Sequence, residues 1–504
     1  MILYFQVVQL KSHQLKTLAV CLIVVLLSAC KTIATPALKA DVPTQWRNIS
    51  NSQLDYSAST KEAKKLEWWL ILKDPILDET MALALKQNLT LAQALARLNI
   101  AKSTEKAIIA AQYPQIDFSA GPDSLARTLS GGIGNNAQTS QTPLRTTGAF
   151  IAGFDLIWEL PLFGRAEAQR KIAQAGLNNA VADIASTKIN ISAEVARAYA
   201  ELRAAHNKIV LLDNQQQQQE TLKSLMIKGE KAGLFSANNQ DTARTAMIEI
   251  RNQASLVNLQ KEAAIQRLMV LCGITTPLAA WLNLPSESWD LNHEGKLNPS
   301  LPADLIRSRT DVSRAEALVL QAAGEAGIAH ADLYPRLSIE GALMLGGDLT
   351  DVGRDSRKKA RIKSQNVALL APTIRIPLLD WGLNRAIANA KDAKLNESVL
   401  AYQETVLLAI EDTENSLANY QASNKRLIRA LEDVDYVAEK STKIQTAFKA
   451  GYLSKPDVIL ANIKSQDTAF QLIDAKVAWL SDFANANKAL ASMKDIQIEQ
   501  LSVK

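Results

Sequence analysis

The chain has 504 residues, of which 47% are hydrophobic, 21% are charged and 5% are aromatic. This length accommodates two or three domains, and the low aromatic content favours helices rich in Ala, Leu and Gln over a β-sandwich or an enzyme core. The formal net charge of +5 is too small to imply a nucleic-acid partner.

The N-terminus has the features of an export signal. Lys11 and Lys16 precede an apolar run, residues 18–27, which is too short to span a membrane as a helix and has the length of a signal-peptide core. The run leads into a Leu-Ser-Ala-Cys sequence that ends at Cys30. This sequence resembles the lipobox of bacterial lipoproteins, and the resemblance implies a signal peptide over residues 1–29 and a lipid on the Cys30 thiol. The alternative is an ordinary cleavage site followed by a chance cysteine.

Two pairs of segments alternate apolar and polar residues with the period of two that is typical of β-strands. The first pair lies within residues 115–160 and the second within residues 336–378. No stretch reaches the roughly 18 apolar residues of a transmembrane helix, so a membrane crossing would have to use strands. Alternation alone supports a membrane barrel and a half-buried soluble hairpin equally. The apolar positions are Ile116, Phe118 and Ala120; Phe150, Ala152, Phe154, Leu156 and Trp158; Leu337, Ile339, Gly341 and Leu343; and Pro372, Ile374, Ile376 and Leu378.

A loop joins the two segments of each pair. The first loop, around residues 130–136, is polar and rich in Gly, whereas the second, residues 354–363, is strongly basic. Both are predicted to be surface hairpin loops. For the basic run, a solvated loop is the simpler interpretation, and contact with anionic lipid headgroups is the other.

Long segments free of Gly and Pro follow each pair of strands. They cover residues 177–228, 234–272, 383–450 and 457–504. Helices of globular proteins rarely exceed about 25 residues without caps, and the 68 residues of the 383–450 segment would extend roughly 100 Å. Such a helix is long enough to cross a periplasm. The Ala-rich, coiled-coil-like pattern with polar interruptions suggests that the helices pack closely and expose one face to water.

The whole layout occurs twice, which indicates that one supersecondary unit is reused. A Tyr-Pro pair, a Gly after the strands and a Gly between the helices recur at offsets of 221, 218 and 218 residues. The corresponding positions are Tyr113 and Tyr334, Gly164 and Gly382, and Gly233 and Gly451.

The third pair of landmarks marks the tips of two helical hairpins. A Gly at the end of a helix supplies the left-handed cap, which predicts that the chain turns at Gly233 and Gly451. Ser236 and Ser454 lie just beyond and are suited to cap the next helix.

The two strand pairs imply an assembly if they lie in a membrane. Four strands cannot close into a barrel, and an open sheet edge in lipid leaves unsatisfied backbone groups that cost several kcal/mol each. The chain would therefore have to form an oligomer to complete its barrel.

With these features in order, the chain resembles the TolC-like outer-membrane factors, the trunk-shaped channels of tripartite efflux and type I secretion. The resemblance is strongest to the acylated efflux lipoproteins of the NodT/OprM-like branch. No single motif is specific, but the order and spacing of the motifs are. The matching stretches are Pro43 with Trp46, Trp68-Trp69, Asp74-Pro75, and residues 84–97, 158–165, 194–199, 301–305 and 377–382.

The resemblance implies a mainly α fold with a membrane β-barrel part. In a homotrimer, each protomer would give four strands to a shared twelve-stranded barrel and its helices to an α-barrel with an equatorial region. The implied segments are an N-terminal equatorial segment (30–88), a first repeat (89–284), a linker (285–302), a second repeat (303–490) and a C-terminal tail (491–504).

The implied function is a passive exit duct for small molecules, such as drugs and toxic compounds, in an efflux pump. Its location is the cell outer membrane, with a lipid anchor and an extension into the periplasm, and its partners are a periplasmic adaptor, which would contact the hairpin tips, and an inner-membrane RND-type pump. Type I protein secretion and metal-cation efflux are alternatives within the same class. A periplasmic coiled-coil lipoprotein is an alternative of another class, but it would not explain the strand pairs.

In the family that the chain resembles, acidic side chains near the hairpin tips form rings that bind cations and narrow the pore. Asp457 lies where such an acid is common, with Leu460 three residues on, and Asn239 and Asp241 lie at the first tip. Three neighbouring carboxylates would repel one another, which raises their pKa and attracts cations. The alternative is that Asp457 only caps a helix.

No motif of an enzyme is present. The sequence has no Gly-rich phosphate loop, no Cys/His metal spacing and no nucleophile motif, so we expect no catalysis, no metal and no cofactor apart from the lipid on Cys30. His330 is expected to be a surface residue rather than a ligand, and Cys272 a small buried apolar residue. Arg309, Asp311 and Glu316 are expected to form local ion pairs.

Overall fold

A computed structural model of the full chain describes residues 35–38, 42–47, 65–122, 149–233, 238–285, 297, 305–306, 308–350 and 361–490. Cys30, Ser236, the loop around residues 130–136 and residues 354–360 of the basic loop lie outside the described residues, as do the tail (491–504) and most of the linker (285–302).

The two strand pairs and the long helices follow one another in the order that the sequence predicts. The first half has a 3₁₀ helix (Lys65–Leu72), α1 (Pro75–Gln87), α2 (Leu89–Ala110), β1 (Gln115–Pro122), β2 (Ala149–Leu160), α3 (Arg165–Lys231), α4 (Asn238–Cys272) and the short α5 (Ala279–Leu282). The second half has α6 (Thr310–Ala331), β3 (Arg336–Thr350), β4 (Arg361–Arg375), α7 (Leu383–Lys449) and α8 (Lys455–Leu490).

Helices α3 and α7 are each 67 residues long, which corresponds to about 100 Å of helix. Each begins after a tight turn in which an aromatic residue and a Gly both have positive φ. These residues are Phe163 (53°) and Gly164 (79°) before α3, and Trp381 (54°) and Gly382 (84°) before α7. Because a residue with a bulky side chain rarely adopts this backbone conformation, both turns carry local strain.

None of the helices in the described ranges combines the length and the apolar character needed to cross a membrane.

The β-sheet lies in a compact unit that includes residues 101–177 and 317–399. It is antiparallel throughout, with the strand order β1-β2-β3-β4. Its register brings apolar residues together on one face, because side chains two apart on a strand share a face. Two complete rows on this face are Ile116, Leu156, Gly341 and Leu370, and Phe118, Phe154, Leu343 and Ala368.

The fourth strand differs from its predicted position. The alternating positions predict a strand over residues 372–378, but β4 begins at Arg361 and ends at Arg375, so Ile376 and Leu378 follow the strand. Residues 361–363 of the predicted basic loop belong to β4. Pro377 explains why β4 ends at this point, since proline has no N–H to donate to the hydrogen-bond ladder of the sheet. Pro372 is accommodated because β4 is an edge of this sheet.

A second compact unit includes residues 38–100, 178–316 and 400–504. Within it α3 and α4 pack as a helical hairpin, because Ala205 and Leu212 of α3 form one buried cluster with Ile250 and Val257 of α4. Phe470 of α8 packs against the same cluster.

The start of α1 is anchored in this second unit by hydrogen bonds. The Asp74 carboxylate caps α1 by accepting from the backbone N–H of Ile76 at 3.1 Å, and it also accepts from the Tyr199 hydroxyl at 2.7 Å. One turn further, the Trp281 indole donates to the Thr80 hydroxyl at 2.9 Å. Both Trp281 and Thr80 are fully buried, so this contact fixes α5 against α1.

Candidate functional site

The tip of the second hairpin is a well-defined helix end. Gly451 has a φ of 82°, and its N–H donates to the Phe448 carbonyl at 3.0 Å, while the Tyr452 N–H donates to the Ala447 carbonyl at 3.0 Å. This pair of bonds is the Schellman arrangement, in which Gly occupies the left-handed position. The predicted left-handed turn at Gly451 is therefore confirmed.

The first helix of the first hairpin also ends at a left-handed Gly. Gly233 has a φ of 70°, and its N–H donates to the Glu230 carbonyl at 2.9 Å. No heavy atom lies within 4 Å of a Cβ built on either Gly233 or Gly451, so the requirement for Gly is one of backbone conformation alone.

Asp457 holds the start of α8. Its Oδ2 accepts a hydrogen bond from the Ser454 hydroxyl at 2.5 Å and another from the Ser454 backbone N–H at 2.9 Å. These two bonds, the hydroxyl first, lower the pKa of Asp457 below its ordinary value. Ser454 thus sits at the N-cap of α8, and Asp457 reaches back to it from the first turn, as in a capping box.

The side chain of Asp457 is nevertheless exposed, and so is that of Leu460, one turn further along α8. Val458 and Ile459, between them, are buried. Residues three apart on a helix share a face, so Asp457 and Leu460 lie together on the open face of α8. The cap uses one carboxylate oxygen and leaves the other available.

At the first tip, Asn239 and Asp241 lie in the first turn of α4. Asp241 is exposed, and a carboxylate in the first turn is favoured by the positive end of the helix dipole. At the offset of 218 residues Asp457 corresponds to Asn239, and Asp241 lies two residues further along α4. The gate role of these residues stays a prediction.

The junction between strands and helices holds a dense polar cluster, which the sequence did not reveal. Arg165, the first residue of α3, forms an ion pair with Asp332, and Arg336 binds the same carboxylate at 2.7 Å. The Phe163 ring stacks on Tyr334, with centroids 4.9 Å apart and planes 16° apart. The links from Arg165 and Phe163 join positions more than 160 residues apart, so local patterns give no sign of them.

His330 also has a partner. Its Nε2 lies 3.0 and 2.9 Å from the two carboxylate oxygens of Asp392. It was expected to be a surface residue, and it is indeed partly exposed, but it also ties α6 to α7.

The face of the sheet opposite the apolar rows is mixed, with polar and charged residues on β1 and β2 beside apolar residues such as Ile157 and Leu369. Asp117 of β1 lies directly opposite Asp155 of β2, and the Ser119 hydroxyl donates to Asp155 Oδ2 at 3.0 Å. Like charges directly opposite one another destabilise a dry sheet, so the part of this face around Asp117 and Asp155 is suited to contact with water. The strand register, rather than the sequence pattern, reveals the pair.

Arg309 joins three elements of the second unit. Its guanidinium donates to Asp311 at 2.8 Å, to Asp412 at 3.0 Å and to the Ala489 carbonyl at 2.9 Å. The predicted pairing with Asp311 is confirmed. Burial alone would raise the pKa of Asp311, but the hydrogen bond and charge of Arg309 outweigh it, and the pKa is lowered.

Among the described residues, no group of three His, Cys, Asp or Glu side chains is placed to hold a metal ion. Cys272 is buried, and its thiol lies 3.7 Å from the Thr80 carbonyl. Burial raises the pKa of this thiol to about 11, so it is a poor nucleophile at neutral pH.

Comparison with known proteins gives a consistent result. The model of a family described as outer membrane efflux protein matches residues 80–274 and 301–492. Nodulation protein T of Rhizobium leguminosarum bv. trifolii is 24% identical over 444 residues, which are 86% of this chain and 89% of that protein. The pyoverdine export outer membrane protein OpmQ of Pseudomonas aeruginosa is 22% identical over 465 residues, which are 92% of this chain and 93% of that protein.

A solved structure of the outer-membrane channel OprN has the same fold. It is 21% identical in sequence and superposes with a TM-score of 0.72, over 92% of this chain and 99% of that chain.

Proposed function

Because the chain belongs to the outer membrane efflux protein family, we propose that it is the outer-membrane duct of a tripartite efflux pump, through which small molecules leave the periplasm passively. The proteins of this family are channels rather than enzymes, in agreement with the lack of catalytic motifs. The match to residues 80–274 and 301–492, which include all four strands and the long helices, carries the proposal.

The apolar face of the sheet supports a position in the outer membrane. Phe118, Phe154, Leu343 and Leu370 are all more than half exposed in the single chain, and exposed apolar surface costs about 25 cal/mol per Å² in water. Lipid would cover this face, while the face with Asp117 and its neighbours would line an aqueous lumen.

The edges of the sheet support an oligomer, and the resemblance sets its size at three. The strand order leaves β1 and β4 at the two ends, and open edges are not tolerated in the hydrocarbon region. Three copies would supply the twelve strands of one barrel, with the long helices forming an α-barrel. The two-copy layout of the sequence and the two matched segments fit an internal structural repeat.

The remaining parts follow from the sequence. A lipid on Cys30 would anchor the mature chain at the outer membrane, and the hairpin tips at Gly233, Ser236, Gly451 and Ser454 would meet a periplasmic adaptor that connects to an RND-type inner-membrane pump. Asp457, Leu460, Asn239 and Asp241 would form the periplasmic gate.

Conductance tests the duct directly. Purified protein added to a planar lipid bilayer is expected to form stable pores, and in an outer-membrane fraction it should migrate as a heat-modifiable trimer. A deletion strain should become more sensitive to toxic small molecules, and the parent chain should restore resistance. A monomer without conductance would overturn the proposal and favour a periplasmic structural lipoprotein. Substituting Cys30→Ser should abolish incorporation of a labelled palmitate.

A further inference from the structure

Within one chain, the turn before α3, in the first copy of the repeated layout, packs on the segment between α6 and β3 in the second copy. Phe163, in the turn before α3, stacks on Tyr334 just after α6. Two residues on, Arg165 binds Asp332. The contact therefore has an aromatic part and an ionic part, both formed between the two copies of the repeated layout.

The second copy presents an identical turn that is uncovered. Trp381 has a φ of 54°, against 53° for Phe163, and the Gly that follows has 84° against 79°, so the two turns have closely similar φ values. Trp381 is 91% exposed, and Tyr113, which corresponds to Tyr334, is 60% exposed against 40%. The two partners of an aromatic stack are thus both present and both open to solvent.

The ionic part of the contact changes as a pair. At the offsets of 218 and 221 residues, Arg165 corresponds to Leu383 and Asp332 corresponds to Ala111. Both charges are replaced by apolar residues, and Leu383 is 61% exposed. A joint replacement of this kind is expected of two positions that touch, because one charge left without its partner would be costly.

The helices next to these turns also differ in a complementary way, because a small residue in one pair of helices corresponds to a larger one in the other pair. Gly324 of α6 lies so close to α3 that an added Cβ would be 2.6 Å from Ile172 Cγ1 and 2.7 Å from the Ala168 carbonyl oxygen. At the corresponding positions, Gly324 becomes the larger Ser103 of α2, and Ile172 becomes the smaller Ala390 of α7. Both are exposed in the single chain.

We propose that Trp381 of one protomer stacks on Tyr113 of the neighbouring protomer, with Leu383 against Ala111. The contact between the two halves of one chain would then be repeated, in apolar form, between chains, and α7 would pack on α2 of the neighbour. A second copy of this chain is the occupant because the open surface matches one that the chain already binds within itself. This inference rests on the proposed trimer.

Cysteine cross-linking tests the contact in the full chain. The variant Trp381→Cys with Tyr113→Cys, treated with a short thiol-to-thiol maleimide linker, is expected to give covalent dimers and trimers as the main bands on denaturing gels. The single variants and the parent chain should give none. Cys272 adds little background, since it is buried and its pKa is raised to about 11.

Two control pairs define the specificity of the link. Phe163→Cys with Tyr334→Cys should be linked within one chain, without covalent oligomers, because those rings already touch. Trp381→Cys with Tyr334→Cys should give no oligomers, because Phe163 of the same chain already covers position 334. Oligomers of equal yield from this mismatched pair would overturn the proposal.

The trimer is measured on the same samples without linker, by heat-modifiable migration. If the Trp381→Cys, Tyr113→Cys variant forms a trimer but gives no covalent link, this contact is overturned and the proposed duct is left intact, whereas a monomer would overturn both. If the cysteine variants fail to assemble, Trp381→Ala and Trp381→Phe decide. The trimer should dissociate at a lower temperature with Ala but close to the parent's with Phe, and equal temperatures for all three would contradict the contact.

Discussion

Gly153 offers a sharp test of the sheet register. It lies in β2 opposite Met344 of β3, and a Cβ at this position would be 2.4 Å from the Leu343 carbonyl oxygen and 2.7 Å from Met344 Cα. Both atoms belong to the backbone, so no rotamer change relieves the clash. The strands would have to separate by about 1 Å to restore normal contact, which stretches the neighbouring ladder hydrogen bonds beyond their useful length.

The magnitude follows from those bonds. Loss of about two ladder bonds, each leaving an unsatisfied group at about 1–3 kcal/mol, outweighs the roughly 0.4–1 kcal/mol that Gly→Ala contributes through the unfolded chain. We therefore expect Gly153→Ala to destabilise the sheet by about 2–4 kcal/mol.

A glycine of the same sheet provides the matched control. No heavy atom lies within 4 Å of a Cβ built on Gly121 of β1, so Gly121→Ala should be neutral or slightly stabilising. Urea titration in detergent, followed by the gel mobility of unheated samples, measures the folded fraction of both variants. If Gly153→Ala keeps its compact mobility to the same urea concentration as Gly121→Ala, the register of β2 on β3 is wrong.

Three further predictions concern the second unit. Arg309→Met should lower the stability by about 3 kcal/mol, because the side chain is only 11% exposed and four acceptors lose their donor, namely Asp311, Asp412, the Thr413 hydroxyl and the Ala489 carbonyl. Arg309→Lys should recover only part of this stability, since an ammonium lacks the guanidinium fork. Equal melting temperatures for Arg309→Met and the parent would contradict the network. The pKa of Asp311 is lowered in the folded chain, so its contribution to folding stability is complete above the unfolded pKa of about 3.9 and is lost as the pH falls through the folded pKa. The melting temperature of the parent should therefore fall more steeply below about pH 4 than that of Asp311→Asn. Parallel curves of melting temperature against pH would count against this pairing. Asp457→Ala should raise single-channel conductance and reduce cation selectivity in a bilayer, with Asp241→Ala as the comparison at the first tip, and unchanged values for Asp457→Ala would remove it from the gate.

Local patterns were sufficient where the physical cause is local. Period-two alternation located β1, β2 and β3, and a Gly at the end of a long helical segment located the turns at Gly233 and Gly451. The start of β4 was missed because Arg361 and Lys363 continue a basic run that has the composition of a loop. On an edge strand, polar residues are common, so composition is a weak guide there.

Contacts between distant segments could not be predicted from the sequence. Arg309 was expected to pair with Asp311, two residues away, but its bond to Asp412 joins positions 103 residues apart. His330 likewise finds Asp392 on another helix. Such partners are decided by the packing of whole helices, and a single sequence without tertiary information holds no local signal for them.

The two interpretations of Asp457 reinforce each other. Hydrogen bonds from Ser454 lower the pKa of this carboxylate, whereas the approach of like charges from two other copies would raise it. Because the cap acts within each chain, it is present before assembly and favours the charged form that repulsion opposes. A capped aspartate is therefore better suited than a free one to remain ionised in a ring at neutral pH. The cap also restrains the side chain on the same face as Leu460, so a ring of three would place its charges beside an apolar constriction.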